Sequence, residues 1–376
     1  MILRNEELKD ICSKMLTAVD SDGTIDTETL QLKADGGLFT VSVTNREYFV
    51  TVKLPIDADI KFNATVMAVK FLKLVSQITT DTIDLSVDGA SLVIKGNGVY
   101  RLPMIYDDDI LLELNKIVIN NKTVEMRVHG STLISVLQNN SKELLKVKEL
   151  TTMRPFQRYY YLDEEGAITT TTGACVNNFK LEKPIKVLLN SNIVKLFSLF
   201  SDDDVVNLSL GHDAIDNGTI QTKIGFETET VSIVSIILCD EAMVRLMPAR
   251  QLRARANAQH NHSVCFNKAE LLKAINRFIL MYSDNNSLNR FCGSLEFSNT
   301  SMQIGSYGCD FVEKIPYVTD VTTLDTPYTC MLNLNDLKLC LDSHTSNTVT
   351  INFGDHQAIV VSRGRVQNLI PEVDDV

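Results

Sequence analysis

Six times along the chain an amphipathic stretch with apolar residues at helical spacing gives way to runs that alternate apolar and polar residues around a turn rich in Asp, Gly, Asn or Ser. The helical stretches fall at roughly 5–19, 64–78, 129–148, 190–200, 267–283 and 333–343, recurring about every 60–75 residues. Asn63, Ser131, Ser191 and Asn335 are the expected N-caps. The alternating runs are LQLKADGGLFTVSV (30–43), IDLSVDGASLVIKG (83–96), YYYLDEEGAITTTT (159–172), VNLSLGHDAI (206–215), GSLEFSNTSMQIGS (293–306) and VTINFGDHQAIVVS (349–362). Period-two alternation around a tight turn marks antiparallel strands with one buried face, so each run is expected to be a hairpin and strands should outnumber helices.

Pairing consecutive units gives an α+β chain of three similar domains, at 1–118, 119–250 and 258–376. Pro248 to His262 shows neither strand alternation nor an apolar helical face and reads as a linker. The first join, between Asp107 and Asn121, stays fairly apolar from Ile110 to Ile119.

Charge changes the picture once it is placed on these elements. The net charge of −11 argues against a nucleic-acid partner only if it is evenly spread. The six helical windows hold twelve Lys and Arg against seven Asp and Glu, a balance of +5, which leaves −16 for the strands and loops. Helices gathered on one side of the sheets would give an acidic protein one positive face, suited to a phosphate backbone without reading bases. Lys is also a good helix former on solvated faces, and that reading stands beside the first.

Catalytic chemistry has no such signal. The chain lacks a G-x-x-x-x-G-K-[ST] loop, a G-x-S-x-G elbow, an H-E-x-x-H helix and a G-x-G-x-x-G turn, so neither an enzyme nor a cofactor is expected. The eight cysteines show no C-x-x-C spacing and read as buried free thiols. His260 and His262 lie in the linker and read as solvated, and Asp107–Asp109 and Asp202–Asp204 read as charged turns, so no metal is expected. No apolar run is long enough for a membrane span, and the start Met1-Ile2-Leu3-Arg4-Asn5-Glu6-Glu7 has no signal-peptide order; a cytoplasmic protein without membrane contact is expected. Arg158-Tyr159-Tyr160-Tyr161 suits contacts to a nucleic-acid backbone and its bases, and equally suits the opening of a core strand.

Three segments, LQLKADGGLFTVSVTNREYFVTVKLPI (30–56), MAVKFLKLVSQITTDTIDLSVDGASLVIKGNGVYRLPMI (67–105) and FNKAELLKAINRFILMYSDNNSLNRFCGSLEFSNTSMQIGS (266–306), resemble the bacterial beta sliding clamp family, the beta subunit of DNA polymerase III. The order of segments matches from end to end. The resemblance implies three clamp domains, each with two helices lining a pore and antiparallel sheets outside, and two chains closing head to tail into a ring. It implies a processivity factor without catalytic activity, with duplex DNA bound independently of sequence, a DNA polymerase, a clamp loader and a second copy of itself as partners. The alternative is a clamp fold reused as an interaction or regulatory protein that never encircles DNA.

Residue by residue, Arg158, Tyr159 and Tyr160 match the family's DNA-contacting Arg-Tyr-Tyr, and Arg154 falls near another such position. With the helix cations Lys70, Lys73, Lys142, Lys146, Lys195, Lys273 and Arg277 they form the expected DNA-binding set. The family's first-domain loop arginine has no counterpart in Ser21-Asp22-Gly23-Thr24. Its partner-peptide pocket corresponds to Thr171, Gly173, Ala174, Cys175 and Val176, with Glu241, Leu246, Val360 and Ser362. This set lacks the family's His-Arg pair, which fits partners matched to a divergent, virus-encoded replication system. The ring junction corresponds to Tyr100 and Leu102 on one side and Ile279 and Leu280 on the other. Beyond Arg365, where the family's chain ends, Gln367, Leu369, Ile370 and Val373 offer clamp-peptide chemistry. They are read as a tail beyond the last strand, either surface-packed or folded over the pocket.

Overall fold

The computed structural model describes residues 1–19, 24–57, 60–144, 159–170, 173–214, 220–238, 241–282, 291–306, 311–319, 323–354 and 358–373. The chain divides into two compact units, one of Met1–Ile134 with Asn192–Leu238 and one of Ser135–Ser191 with Cys239–Val376.

In the first unit an eight-stranded antiparallel sheet runs in the order β11-β16-β17-β18-β4-β3-β2-β5. Its strands are β2 (Thr29–Asp35), β3 (Leu38–Thr44), β4 (Tyr48–Pro55), β5 (Phe62–Met67), β11 (Lys122–His129), β16 (Val205–Ala214), β17 (Ile220–Glu227) and β18 (Val231–Ile236). The halves meet where β18 pairs β4, Ile233 opposite Val50, both fully buried. A four-stranded sheet runs β1 (Ile2–Arg4), β6 (Thr82–Asp88), β7 (Ser91–Lys95), β8 (Val99–Pro103), with β8 at its edge. Strands β9 (Tyr106–Asp107) and β10 (Ile110–Leu111) form a small hairpin turned by Asp108 and Asp109, both at positive φ.

The second unit repeats the scheme. Its eight-stranded sheet runs β15-β12-β13-β14-β26-β25-β24-β19, from β12 (Tyr160–Asp163), β13 (Gly166–Thr170), β14 (Ala174–Asn178), β15 (Lys186–Leu189), β19 (His262–Asn267), β24 (Thr348–Phe353), β25 (Ala358–Arg363) and β26 (Val366–Pro371). Its four-stranded sheet runs β22 (Val312–Pro316), β21 (Ser301–Gly305), β20 (Cys292–Phe297), β23 (Tyr328–Asn333).

Helices cover these sheets by one recurring pattern. In α1 (Asn5–Met15) the buried side chains include Leu8, Ile11, Cys12 and Met15; in α3 (Ala68–Gln77) they are Ala68, Phe71, Leu72 and Val75. In α8 (Lys268–Tyr282) they include Leu271, Ala274, Ile275 and Phe278. All three follow i, i+3, i+4, i+7, one apolar stripe on a helix of 3.6 residues per turn. Helix α9 (Leu334–Ser343) buries Leu334, Leu337, Cys340 and Leu341. Helix α1 packs on α3, and α8 on α9. The remaining helices are α2 (Ile25–Glu28), α4 (Gly130–Leu144), α5 (Ser191–Lys195) with a 3-10 turn at Leu196–Leu199, α6 (Glu241–Leu246) and α7 (Ala249–Ala256).

All six expected helical stretches are present, and five of the six expected hairpins form. The exception is 206–215, which lies almost wholly in the single strand β16 and pairs with β17; Gly211-His212 continues the ladder instead of turning. None of the four expected N-caps falls at the cap position, and Ser131 and Ser191 already lie inside the first turns of α4 and α5. Asn63 lies inside β5, and Asn333, not Asn335, caps α9, its side chain accepting the Asn335 N–H at 3.0 Å. The stretch read as a linker holds helix α7. The tail is the inner strand β26, hydrogen-bonded to β14 on one side and β25 on the other.

Cys12, Cys175, Cys330 and Cys340 are buried free thiols, Cys265 and Cys292 are half-buried, and Cys239 and Cys309 lie outside the described residues. Burial pushes the Cys12 thiol up to about 12, so it stays protonated and inert.

Candidate functional site

The stripe that buries α3 leaves Lys70 and Lys73 exposed on its opposite face, three residues apart, and Lys273 is exposed in the same way on α8. None of the three has an ion-pair partner among the described residues. Helices α1 and α9 differ. Lys14 is held by Asp10 at 2.8 Å, and Lys268, at the start of α8, donates to the His344 carbonyl at 2.5 Å, just past the C-terminus of α9. Asp10 and Asp336 occupy on α1 and α9 the positions that Lys70 and Lys273 hold on α3 and α8. The positive charge of the helical segments is therefore concentrated on α3 and α8.

Arg277 faces another way. Its Nε donates to Glu313 Oε2 on β22 at 3.0 Å and its Nη2 to the other carboxylate oxygen, so the guanidinium is spent on the edge strand. That hydrogen bond holds its pKa above the ordinary arginine value. Lys195, half-buried, closes α5. Lys142 lies in the last turn of α4, and Lys146, Arg154 and Arg158 lie outside the described residues. Tyr159 is half-buried against a cluster that includes Ala174 and Val176. Tyr160 is 2% exposed on β12, which leaves its ring no face for a base. The alternation that opens a strand has won over the stacking chemistry there.

The residues matched to a peptide pocket are divided by the pleat of β14. Ala174 and Val176 point to one face, into a cluster with Tyr161, Leu369, Met247 and Ala256, against which Met243 and Val244 of α6 and Leu252 of α7 pack. Cys175 points to the other, its thiol donating to the Asn139 carbonyl of α4 at 3.3 Å, so it cannot line a site shared with its neighbours. Gly173 lies so close to β26 that a Cβ there would fall 2.2 Å from the Leu369 carbonyl oxygen, which demands glycine. Leu246 is exposed at the end of α6. Val360 and Ser362 pair with Leu369 and Gln367, and Thr171 lies outside the described residues.

Helix α7 is fastened to this sheet by an ion pair that sequence reading missed. Arg253, buried, donates Nη1 and Nη2 to Asp163 at 2.7 and 2.6 Å, and Nη1 also to Glu165 at 3.0 Å. Ala249, Leu252 and Ala256 were the available signal, an i, i+3, i+7 stripe hidden among arginines. Burial and the Asp163 carboxylate together push the Tyr161 hydroxyl pKa up.

Each four-stranded sheet keeps an open edge among the described residues. Tyr100 and Leu102 are half-buried on one face of β8, and Val99 beside them is exposed. On the other sheet β22 presents Val312, while Leu280, 73% exposed, and Met281 stand at the end of α8. Ile279 instead packs against the second unit's core. Among the described residues no cluster could hold a metal ion, and no helix is long and apolar enough to cross a membrane. The Asp202–Asp204 turn is used locally, Asp204 accepting the Ser201 N–H at 2.7 Å.

No family model matches the chain, and no curated protein matches it. Solved structures do. DNA polymerase III subunit beta from Borrelia burgdorferi aligns at a TM-score of 0.76 with 13% identity, covering 99% of this chain and 98% of that one. The DNA polymerase sliding clamp from Bacillus subtilis aligns at 0.74 with 15% identity, covering 100% and 99%. The beta subunit from Thermotoga maritima aligns at 0.76 with 13% identity, covering 100% and 99%. From end to end, therefore, this chain has the α+β clamp fold of the bacterial DNA polymerase III beta subunits.

Proposed function

We propose that the protein is a DNA sliding clamp, a non-enzymatic processivity factor that encircles duplex DNA and tethers a replicative polymerase to it. The observation that carries this reading is the clamp fold matched over the full length of both chains. Lys70, Lys73 and Lys273 supply exposed positive charge on helix faces, unpaired among the described residues, enough for phosphate contacts and without the means to read bases.

In this reading, ring closure uses the two open edges. Strand β8 of one copy pairs with β22 of a second, extending the sheet across the junction and removing both edges, with Tyr100, Leu102 and Leu280 as apolar anchors. Three domains at 1–118, 119–250 and 258–376, repeated in two chains, make the ring. A cytoplasmic location, a clamp loader and a polymerase as partners belong to the same reading.

The test is topological. The protein is loaded onto nicked circular DNA, the circle is linearised, and retention is followed by gel filtration. A clamp stays on the circle and slides off the linear form; equal retention on both identifies an ordinary DNA-binding surface, and no retention identifies a clamp fold used for protein interaction alone.

A further inference from the structure

In the second unit the end of β14, the β25–β26 turn and the end of α7 line an open concavity of about 790 Å3, within the size range of small-ligand sites. The carbonyl of Arg365 accepts the Asn178 N–H at 2.8 Å, which holds the turn against the strand. Three cations line the concavity, in two different states. Arg253 is fixed in its wall with both terminal nitrogens engaged, and its buried Nε has no partner among the described residues. Lys180 and Arg365 are exposed at the rim, with no ion pair or side-chain hydrogen bond among the described residues. Glu165, the carboxylate in the lining, is held by Arg253 at 3.0 Å. In a chain of net charge −11, then, this concavity keeps two cations with no ion-pair partner among the described residues.

The rest of the lining narrows the ligand. Phe179 is half-buried and is the aromatic side chain of the lining, and Asn257 offers an amide with no side-chain partner among the described residues. Cations for a phosphate, a ring for a base and an amide for a base edge are the elements of nucleotide recognition without sequence choice. We propose that this concavity binds a nucleotide unit, its phosphate between Lys180 and Arg365 and its base against Phe179. The unit is supplied either by a free mononucleotide or by a single strand of nucleic acid. The site goes beyond encirclement of duplex DNA, because it uses none of the helix lysines.

Calorimetric titration at low salt tests it with thymidine monophosphate, octathymidylate, inorganic phosphate and octaglutamate. Saturable binding of a nucleotide probe is expected, weakened about tenfold or more in Lys180→Ala with Arg365→Ala. Phe179→Leu should weaken the nucleotides and leave inorganic phosphate unchanged. Lys180 and Arg365 are exposed, so an unchanged melting temperature will show that their variant is folded. Equal affinity for the monophosphate and the octamer assigns the site to free nucleotide, and tighter octamer binding assigns it to a strand. The inference is overturned by absence of saturable nucleotide binding, by binding that survives Lys180→Ala with Arg365→Ala, or by equal binding of octaglutamate insensitive to Phe179→Leu. Octamer binding lost only when Lys70, Lys73 and Lys273 are neutralised also overturns it, while leaving the clamp reading standing.

Discussion

Lys223 on β17 places its ammonium 2.9 Å from Asp213 Oδ2 on β16 and 2.8 Å from the carbonyl oxygen of Val118. Asp213 in turn accepts the backbone N–H groups of Asn120 at 3.1 Å and Asn121 at 2.9 Å. One ion pair thus fastens the segment entering β11 to the sheet it joins. Arg253 with Asp163 does the same for α7 in the second unit. Both segments lie where the sequence suggested a join between repeats.

The first prediction follows from the state of that carboxylate. The Lys223 hydrogen bond, then the N–H of Asn120, hold the Asp213 pKa below its ordinary 3.8. A depressed carboxyl stabilises the fold above the unfolded-state value, and that contribution disappears as pH falls through the folded-state one. Thermal unfolding of the wild type should therefore shift to lower temperature as pH drops below about 4. Asp213→Asn should melt lower at neutral pH and show a flatter decline on acidification. An unchanged melting temperature at neutral pH would contradict the fastening role.

Lys70, Lys73 and Lys273 carry the second prediction. Replacing all three with Ala removes exposed charge without touching the buried stripes of α3 and α8, so the fold should be unaffected. Retention on circular DNA should fall, and the slope of log affinity against log salt should shrink by about 0.9 for each phosphate no longer neutralised. Arg277→Ala is the contrasting variant. Its guanidinium already belongs to Glu313, so the salt slope should barely change.

The third prediction concerns the junction. Leu280 is exposed and makes a clean target, whereas truncating Ile279 also removes packing from the core. Leu102→Ala with Leu280→Ala should give folded monomers in sedimentation, since anchors central to an interface cost about 2 kcal/mol or more each on truncation. A variant that sediments as the wild type does, at all concentrations, places the junction elsewhere.

What the sequence made legible was what one periodicity records. The i, i+3, i+4, i+7 stripes and the period-two runs located every major helix and nearly every hairpin, because burial of one face writes itself into consecutive residues. Pairings between distant residues leave no such trace. Asp213 and Lys223 sit on neighbouring strands, but their targets at Val118, Asn120 and Asn121 lie 92 to 105 residues away and look like loop. Tyr160 shows the converse limit, since a residue type suited to stacking says nothing about which face of its strand it will occupy. The partition of Ala174 and Val176 from Cys175 was implied by the same alternation, and matching the pocket as a block passed over it.

The final prediction reverses the expectation for the C-terminus. Residues Val366–Pro371 are an inner strand, with Leu369 opposite Ala174 on β14 and Val360 on β25. Successive side chains point to opposite faces and both faces are covered. Leu369 joins the cluster under α7, and Ile370, 1% exposed, joins the core of the second unit. Asn368, fully buried beside them, hydrogen-bonds His344 through Oδ1 at 2.8 Å. The strand is further tied beyond its end, where the Val373 N–H donates to Met331 and Tyr328 donates to Glu372. Deleting 366–376 would expose the paired edges of β14 and β25 and empty part of two clusters, so the second unit should fail to fold rather than gain affinity for partner peptides. Because a deletion can fail for unrelated reasons, Ile370→Ala is the graded test. Removing a buried isoleucine side chain should cost about 2–5 kcal/mol in urea unfolding, with no change in peptide affinity while the protein remains folded. A deletion variant that keeps native near-ultraviolet circular dichroism, or an Ile370→Ala variant as stable as the wild type, would return these residues to the role of a dispensable tail.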